Sequence, residues 1–217
     1  MIIIFDWDGT LCDSIEQIVS AMQDATAELS LPSPAATDIR NIVGLGLPQA
    51  VSQLFPGLDE ASRNALTQAY SRHYSSPDRP PTPLFPGAVE TLLALRERGF
   101  ELAVATGKSR RGLDRVMASL GLDGFFEATR CADETQSKPH PQMVLEIMSS
   151  RGKAAEDALV VGDTEYDLAM ARRARVRSVG VSFGVHSRER LARHQPLAII
   201  DELPRLLDLA ALGGETN

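Results

Sequence analysis

Ile2-Ile3-Ile4-Phe5-Asp6-Trp7-Asp8-Gly9-Thr10, close to the start of the chain, is the stretch that decides the predicted fold. Its four successive apolar residues indicate a short strand buried on both faces, as in a parallel sheet between helical layers. The run ends in two acids, Asp6 and Asp8, and Gly9 then permits a tight turn. Because open α/β sheets bind ligands at the carboxyl ends of their strands, we expect these acids to lie in a ligand site. Neighbouring carboxylates repel each other, and a shared proton or a divalent cation relieves that repulsion.

The composition is that of an ordinary globular protein. Of the 217 residues, 43% are hydrophobic and 24% are charged, so the length suits one domain with a subdomain. The net charge of −7 and the pI near 5.1 argue against nucleic acid or an anionic membrane as a partner. Cys12 and Cys131 have no metal-site spacing, and we expect them to be buried and reduced in a cytoplasmic protein. The N-terminal apolar run is too short for a signal peptide, and no stretch reaches the roughly 20 apolar residues of a membrane span.

Helical patterns alternate with short apolar strands after Pro86-Gly87. Strands are predicted at 101–105, 125–129, 159–161, 177–181 and 198–200, and a last helix at 203–212. This alternation predicts a parallel sheet with right-handed crossovers. Residues 14–83 are predicted instead to form several helices, the first starting at a Ser14-x-x-Gln17 capping box, and to end in a stiff, Pro-rich linker. The predicted architecture is a doubly wound, Rossmann-like α/β core, residues 1–13 and 84–217, with an inserted α-helical cap, residues 14–83.

Polar residues near the ends of several strands should meet at one edge of the sheet. In chain order they are Asp6, Asp8, Thr106, Lys138, Asp163 and Asp167. Each taken alone has an ordinary structural explanation as a helix cap, a first-turn acid or a surface lysine, and Thr164 with Asp167 resembles a capping box. Their joint occurrence in this order favours a common site.

Together these motifs resemble those of haloacid dehalogenase superfamily hydrolases with a helical cap, across nearly the whole chain. The first motif is Asp6-Trp7-Asp8-Gly9-Thr10, the second is Thr106, the third is Lys138, and the fourth is Gly162-Asp163-Thr164-Glu165-Tyr166-Asp167. The stretch from Tyr70 to Gly87 is similar to the return from cap to core in the phosphoglycolate phosphatase branch. Trp7 replaces the more usual Leu or Met, and its side chain is expected to point away from the site.

The resemblance implies a magnesium-dependent phosphatase that hydrolyses small phosphate monoesters through an aspartyl-phosphate. Asp6 would be the nucleophile, and Asp8 would protonate the leaving alcohol and later activate water. Asp6, the Asp8 backbone carbonyl and Asp163 would hold Mg²⁺. Asp167 would orient a metal-bound water or Lys138 from behind these ligands.

The same resemblance implies a phosphate-binding set made of Thr106, Lys138 and backbone N–H groups at Gly9 and Gly107. The expected partner is a small phosphorylated metabolite, and the chain is expected to act as a monomer or homodimer. In the cap, Arg40 is the candidate for contacting the rest of the substrate, although a solvated helix arginine is an equally good explanation.

Other functions on the same fold remain open, namely a phosphomutase, a nucleotidase or a pyrophosphatase. Resembling mutases carry a His in the first cap helix, and none lies between Cys12 and Arg40. Hydrolases of carbon–phosphorus bonds use a cap Lys, but no Lys precedes Lys108, and those of carbon–halogen bonds lack the second acid of the first motif. A non-catalytic regulatory protein is disfavoured because every catalytic position is filled. Gly107-Lys108-Ser109 matches the end of a P-loop, but Leu102 stands where the first Gly is required, so this match is dismissed.

Overall fold

The computed structural model describes residues 1–209. Within them the strands are β1 (Ile2–Phe5), β2 (Glu101–Thr106), β3 (Ala128–Cys131), β4 (Ala158–Gly162), β5 (Arg177–Val181) and β6 (Ala198–Ile200). The α-helices are α1 (Ile15–Glu28), α2 (Ala36–Asn41), α3 (Leu47–Leu54), α4 (Glu60–Tyr74), α5 (Ala88–Glu97), α6 (Arg110–Ser119), α7 (Gln142–Ser150), α8 (Glu165–Arg173), α9 (Arg188–Ala192) and α10 (Leu206–Leu209). Short 3₁₀-helices cover Ala155–Asp157 and Leu203–Arg205. No helix in this part of the chain is long and apolar enough to cross a lipid bilayer.

The strands of the described residues form one parallel sheet of order β3-β2-β1-β4-β5-β6. β1 pairs with β2 and β4, so that Ile3 lies beside Leu102 on one side and Leu159 on the other. After β1 the chain adds β2 and β3 on one side of it, and then β4, β5 and β6 on the other side. The strand order therefore reverses between β1 and β4, which is where doubly wound sheets open a crevice for ligands. The predicted fold class is confirmed.

Both faces of β1 are buried, as its unbroken apolar run predicts. One face packs against α5 and α6, and the other against α7 and α8. Ile3 and Ile4, adjacent in sequence, belong to different apolar clusters because successive side chains of a strand point to opposite faces. Both are fully buried, and each such burial contributes about 1.5–3 kcal/mol of transfer free energy. Trp7 lies in the first of these clusters, edge to face with Phe126, and so faces the core as expected.

Residues 14–83, which we call the cap, have an apolar cluster of their own. Met22, Ile39 and Leu66, from α1, α2 and α4, are buried at its centre. α1 packs against α4, and Glu28 of α1 accepts hydrogen bonds from Arg72 and His73 of α4. These ion pairs are exposed, so the apolar cluster supplies most of the stabilisation within the cap. The predicted division into a core, 1–13 and 84–217, and a cap, 14–83, stays a prediction.

The predicted strand at 125–129 is misplaced, because β3 begins at Ala128. The Phe125 N–H donates to the Leu122 carbonyl in a turn, and Phe126 packs into the core against Trp7. Aromatic residues favour strands, but here tertiary packing outweighs that local preference.

The predicted capping box at the start of α1 is also wrong. Ser14 occupies the cap position, but its side chain makes no capping hydrogen bond and donates to Asp8 instead. At the other end of the chain, the predicted helix begins as a 3₁₀-turn and continues as α10 to Leu209. Its predicted residues 210–212 lie outside the described part.

Candidate active site

Three of the predicted acids meet at the carboxyl edge of the sheet, around the switch point. Asp6 directly follows β1, and its N–H donates to the Val161 carbonyl of β4 at 2.9 Å. Asp163 directly follows β4, and Asp167 lies in the first turn of α8. Each of the three buried acids places one carboxylate oxygen within 4.8 Å of the others. Two strand ends and one helix therefore bring these acids into a single site.

Asp163 is held by two hydrogen bonds and enclosed by two glycines. The Thr10 hydroxyl donates to Oδ1 at 3.0 Å, and the Val185 N–H donates to Oδ2 at 2.8 Å. A Cβ atom at Gly9 would lie 2.3 Å from Oδ2, and one at Gly184 would lie 2.4 Å from the same oxygen. Gly9 also has a φ of +86°, which side chains rarely adopt. A side chain at either glycine position would therefore collide with the Asp163 carboxylate.

The predicted phosphate-binding groups after β1 and β2 differ in their availability. Thr106 is fully buried at the end of β2, and its hydroxyl oxygen accepts a hydrogen bond from the Lys108 N–H at 3.1 Å. Within residues 1–209 no acceptor is found for the hydroxyl hydrogen, which can therefore turn to a ligand. Gly107 follows directly at the same edge. The Gly9 N–H, in contrast, donates to the Cys12 carbonyl at 2.9 Å, and its phosphate contact stays a prediction.

Lys138 lies fully buried between two carboxylates. Its Nζ atom is 2.6 Å from Asp6 Oδ1 and 2.7 Å from Asp167 Oδ1. Burial alone would lower the pKa of Lys138, but the charges of Asp167 and Asp6 outweigh it, so the pKa is raised and the side chain is a cation. Burial raises the pKa of Asp6 well above its usual range, with Lys138 opposing the shift. Burial and then the charge of Asp167 raise the pKa of Asp163 to about 7.

Asp167 combines a helix-capping role with a role in the site. The Thr164 N–H and hydroxyl donate to its Oδ2 at 3.1 and 2.6 Å, and its own N–H donates back to the Thr164 hydroxyl. This is the capping box predicted from the sequence. Its other oxygen faces Lys138. A Cβ at Gly162 would lie 2.3 Å from the Asp167 Cβ, so glycine at the end of β4 lets α8 approach this closely.

The three acids fit a divalent cation of the Mg²⁺ type. Asp6 Oδ2 is buried and has no hydrogen-bond partner among the described residues. A buried carboxylate oxygen without a partner is unfavourable, and a cation removes that cost. Lys138 pairs with Asp6 and Asp167, and no ion pair of Asp163 is found among the described residues. The three acids therefore have room for a further cation, and an all-oxygen donor set suits Mg²⁺. Asp167 was predicted behind the metal ligands, but its position allows it to be a ligand itself.

Asp8 has a different set of partners, one of which comes from the cap. The Ser14 hydroxyl donates to Asp8 Oδ1 at 2.5 Å, and Lys108 Nζ lies 2.9 Å from the same oxygen. Lys108 also donates to the hydroxyl of Tyr74, the last residue of α4, at 2.9 Å. These contacts of Ser14, Lys108 and Tyr74 were not predicted from the sequence. The available signal was the position of Lys108 two residues after Thr106, at the same sheet edge.

The cap closes over this edge and leaves a cavity of about 560 Å³. Asp8 and Lys108 lie at its core side, while Tyr74 and Leu45 line it from the cap. The Gly46 N–H donates to the Ser137 hydroxyl oxygen at 2.7 Å, which attaches the cap loop between α2 and α3 to the core.

Arg40 is not among the described residues that line this cavity. Its guanidinium lies 2.5 Å from Glu16 of α1, so its charge is used within the cap. The next residue, Asn41, attaches α2 to the core by accepting hydrogen bonds from Tyr166 and Arg190. In this structure Arg40 thus forms an ion pair inside the cap, and its substrate contact stays a prediction.

Comparisons with known proteins agree with this geometry. Residues 3–181 match the family model of the haloacid dehalogenase-like hydrolases. The protein named "Probable phosphatase IndB" of Dickeya dadantii is 37% identical over 214 residues, which cover 96% of this chain and 93% of that one. The phosphoglycolate phosphatase of Pseudomonas syringae pv. tomato is 32% identical over 213 residues, which cover 95% of this chain and 78% of that one. The crystal structure of a hydrolase from Pseudomonas syringae has a TM-score of 0.88 at 25% identity and covers 98% of both chains.

These matches extend over both the core and the cap, and the matched region contains all four motifs. The chain therefore belongs to the haloacid dehalogenase-like hydrolase family, in its phosphoglycolate phosphatase-like branch.

Proposed function

We propose that this hydrolase is a magnesium-dependent phosphatase of small phosphate monoesters, with phosphoglycolate-like esters as its preferred class. The observation that carries the proposal is the buried Asp6 carboxylate, which has one oxygen paired to Lys138 and the other without a partner. Such a carboxylate is oriented and still has a free oxygen. The relatives named phosphoglycolate phosphatase support the substrate class.

Asp6 is the nucleophile in this proposal. Its carboxylate attacks phosphorus, the alcohol oxygen departs, and an aspartyl-phosphate forms, which divides one difficult displacement into two. Lys138 holds the carboxylate at 2.6 Å, and Lys138 and the Thr106 hydroxyl can donate to the transferring oxygens. A divalent cation held by Asp6 and Asp163, with Asp167 or the Asp8 carbonyl as a third ligand, would neutralise charge between the carboxylate and the phosphate.

Asp8 is the general acid and base. It protonates the departing alcohol and then takes a proton from the water that hydrolyses the aspartyl-phosphate. The hydrogen bond from Ser14 and the ion pair with Lys108 orient its carboxylate. We also propose that residues 1–13 and 84–217 act as the catalytic core and that the cap opens and closes over it. A closed cap excludes bulk water and limits the site to small substrates.

The test is the release of phosphate from a panel of esters, with and without Mg²⁺. The panel contains 2-phosphoglycolate, sugar phosphates, nucleoside monophosphates, pyrophosphate and nitrophenyl phosphate, and Asp6→Asn serves as the control for contaminating phosphatases. We expect magnesium-dependent release, fastest with small monoesters. A strong preference for nucleotides or pyrophosphate would show that those compounds, and not phosphoglycolate-like esters, are the substrate class. Release no faster than that of Asp6→Asn on every compound would refute the phosphatase assignment.

A further inference from the structure

Lys108 lies where the core site meets the cap cavity. Its side chain is only 9% exposed, and its Nζ atom lies 2.9 Å both from Asp8 Oδ1 and from the Tyr74 hydroxyl. The Nζ atom is also 4.5 Å from the centre of the Tyr74 ring. The proposed mechanism gives Lys108 no chemical step. A largely buried lysine is uncommon, because removing its charge from water is unfavourable unless other groups compensate for it.

Lys108 and Tyr74 each have one hydrogen-bond donor that no described residue accepts from. A lysine ammonium has three N–H groups, and residues 1–209 provide two acceptors for Lys108. The Tyr74 oxygen accepts from Lys108, so its own hydrogen can be donated elsewhere. Burial raises the pKa of Tyr74, so the hydroxyl keeps that hydrogen at neutral pH. Two donors, one of them on a cation, therefore line the cavity next to Asp8.

The charges around the cavity also favour an anionic ligand. Its described lining contains more cations than acids, namely Arg72, Lys108, Arg111 and Arg115 against Asp8 and Asp133. Arg111 and Arg115 are exposed and lie one turn apart on α6, so they lie on the side of the cavity open to solvent. Such a distribution attracts a small ligand that carries negative charge beyond its phosphate.

Resting on the proposed function, we propose that Lys108 and Tyr74 form the subsite that binds a carboxylate on the carbon next to the phosphoester oxygen. Asp8 has to reach the ester oxygen to protonate it, so a group bound by Lys108 lies within a few bonds of that oxygen. A carboxylate offers two acceptor oxygens and a negative charge, and so matches the N–H and O–H donors together. An alcohol without an acceptor would leave these two partly buried donors unpaired, which is how sites of this kind reject analogues.

The experiment compares three phosphate esters of equal carbon number, 2-phosphoglycolate, 2-hydroxyethyl phosphate and ethyl phosphate. They differ only in carrying a carboxylate, a hydroxymethyl or a methyl group on the ester carbon. We measure kcat/KM for wild type, Lys108→Met and Tyr74→Phe. Lys153→Met is the matched control, because Lys153 pairs with Glu101 on the core surface. The ratio between two substrates within one variant cancels any general effect of Lys108→Met on Asp8.

We expect wild type and Lys153→Met to prefer 2-phosphoglycolate over ethyl phosphate by about 10- to 100-fold, the effect of one charge-assisted hydrogen bond. Lys108→Met should reduce that ratio to within about threefold of unity, and Tyr74→Phe should reduce it partly. An equal wild-type rate on all three esters, a preference for the hydroxyl ester, or a preference retained in Lys108→Met would overturn the subsite while leaving the phosphatase proposal intact.

Circular dichroism shows whether each variant is folded. If Lys108→Met does not fold, the wild-type ratio and its reduction in Tyr74→Phe decide the question. If wild type hydrolyses neither these esters nor nitrophenyl phosphate, the phosphatase proposal fails, and the subsite fails with it.

Discussion

Replacing Gly107 by alanine should prevent the cap from closing. Gly107 lies directly after the strand-end Thr106, and its backbone is outside the left-handed region, so an alanine is not strained by its own conformation. A Cβ there would lie 2.6 Å from the Leu45 carbonyl oxygen and 2.8 Å from that of Gly44. Both atoms belong to the backbone of the cap loop and cannot rotate away. The added methyl group therefore acts on the contact between cap and core.

The magnitude follows from the distances. An unstrained carbon–oxygen contact is about 3.3 Å, so the loop has to retreat by about 0.7 Å from the 2.6 Å position. The same retreat would stretch the 2.7 Å hydrogen bond from the Gly46 N–H to Ser137 beyond a useful length. Overpacking of this kind costs about 1–3 kcal/mol, which lowers the equilibrium constant for closure by about 5- to 150-fold. If chemistry requires closure, kcat/KM for a small alkyl phosphate falls by the same factor.

The assay is steady-state kinetics combined with small-angle X-ray scattering, which should report a larger radius of gyration for Gly107→Ala. Gly57→Ala, in the cap, is the control, because a Cβ at Gly57 would meet nothing within 4 Å. Ser137→Ala removes the hydrogen bond to Gly46 without adding bulk, and should lower kcat/KM in the same direction by a smaller factor. Wild-type kcat/KM in a folded Gly107→Ala protein would show that the closed cap is not required for turnover.

Four further outcomes are expected. Asp6→Asn should retain less than about 1% of the phosphate release of wild type while its circular dichroism is unchanged, since an amide is no nucleophile. Removal of metal with EDTA should abolish activity and added Mg²⁺ should restore it, whereas full activity without metal would contradict the role of the three acids. Lys138→Met should lower the free energy of unfolding, measured by urea titration, by about 3–5 kcal/mol, because two buried carboxylates lose their counter-ion. A loss below about 1 kcal/mol would show that the two carboxylates do not depend on Lys138. The last outcome concerns the single-turnover rate of aspartyl-phosphate formation. Asp8→Asn should lower this rate much more on an alkyl phosphate than on nitrophenyl phosphate, while Asp163→Asn should lower it by similar factors on both. Equal losses on both substrates in Asp8→Asn would show that Asp8 is not the general acid.

The parts of the fold that the sequence predicts are those determined by local pattern. The run from Ile2 to Phe5 has no polar residue, and only a central strand covered on both faces suits it. Its two flanking strands are also mainly apolar, at 102–105 in β2 and throughout β4, as expected of neighbouring strands in a parallel sheet that is covered on both faces. The capping box of Thr164 and Asp167 was predicted because its hydrogen bonds join residues three apart. In each of these cases the structure depends on contacts between residues close in sequence, or on the burial of a whole strand, and both can be read from the sequence pattern.

Contacts between the cap and the core could not be predicted in the same way. Lys108 and Tyr74 lie 34 residues apart, and their contact depends on how four cap helices pack against the sheet. The Ser14 pattern suggested a local cap, but the nearby Asp8 carboxylate accepts its hydroxyl hydrogen at 2.5 Å. Arg40 was a reasonable substrate contact by position, yet the packing of α2 against α1 brings it to Glu16.

The two acids of the first motif therefore depend on different parts of the molecule. Asp6 is held by Lys138 and faces Asp163 and Asp167, all of which belong to the core. Asp8 is held by Ser14 of the cap segment and by Lys108, which is itself bound to a cap tyrosine. The groups proposed for attack at phosphorus are thus in place whatever the cap does, whereas the orientation of the proposed acid depends on the closed cap. In the proposed mechanism this arrangement lets the cap control the departure of the alcohol, which is the part of the substrate that the proposed Lys108–Tyr74 subsite binds.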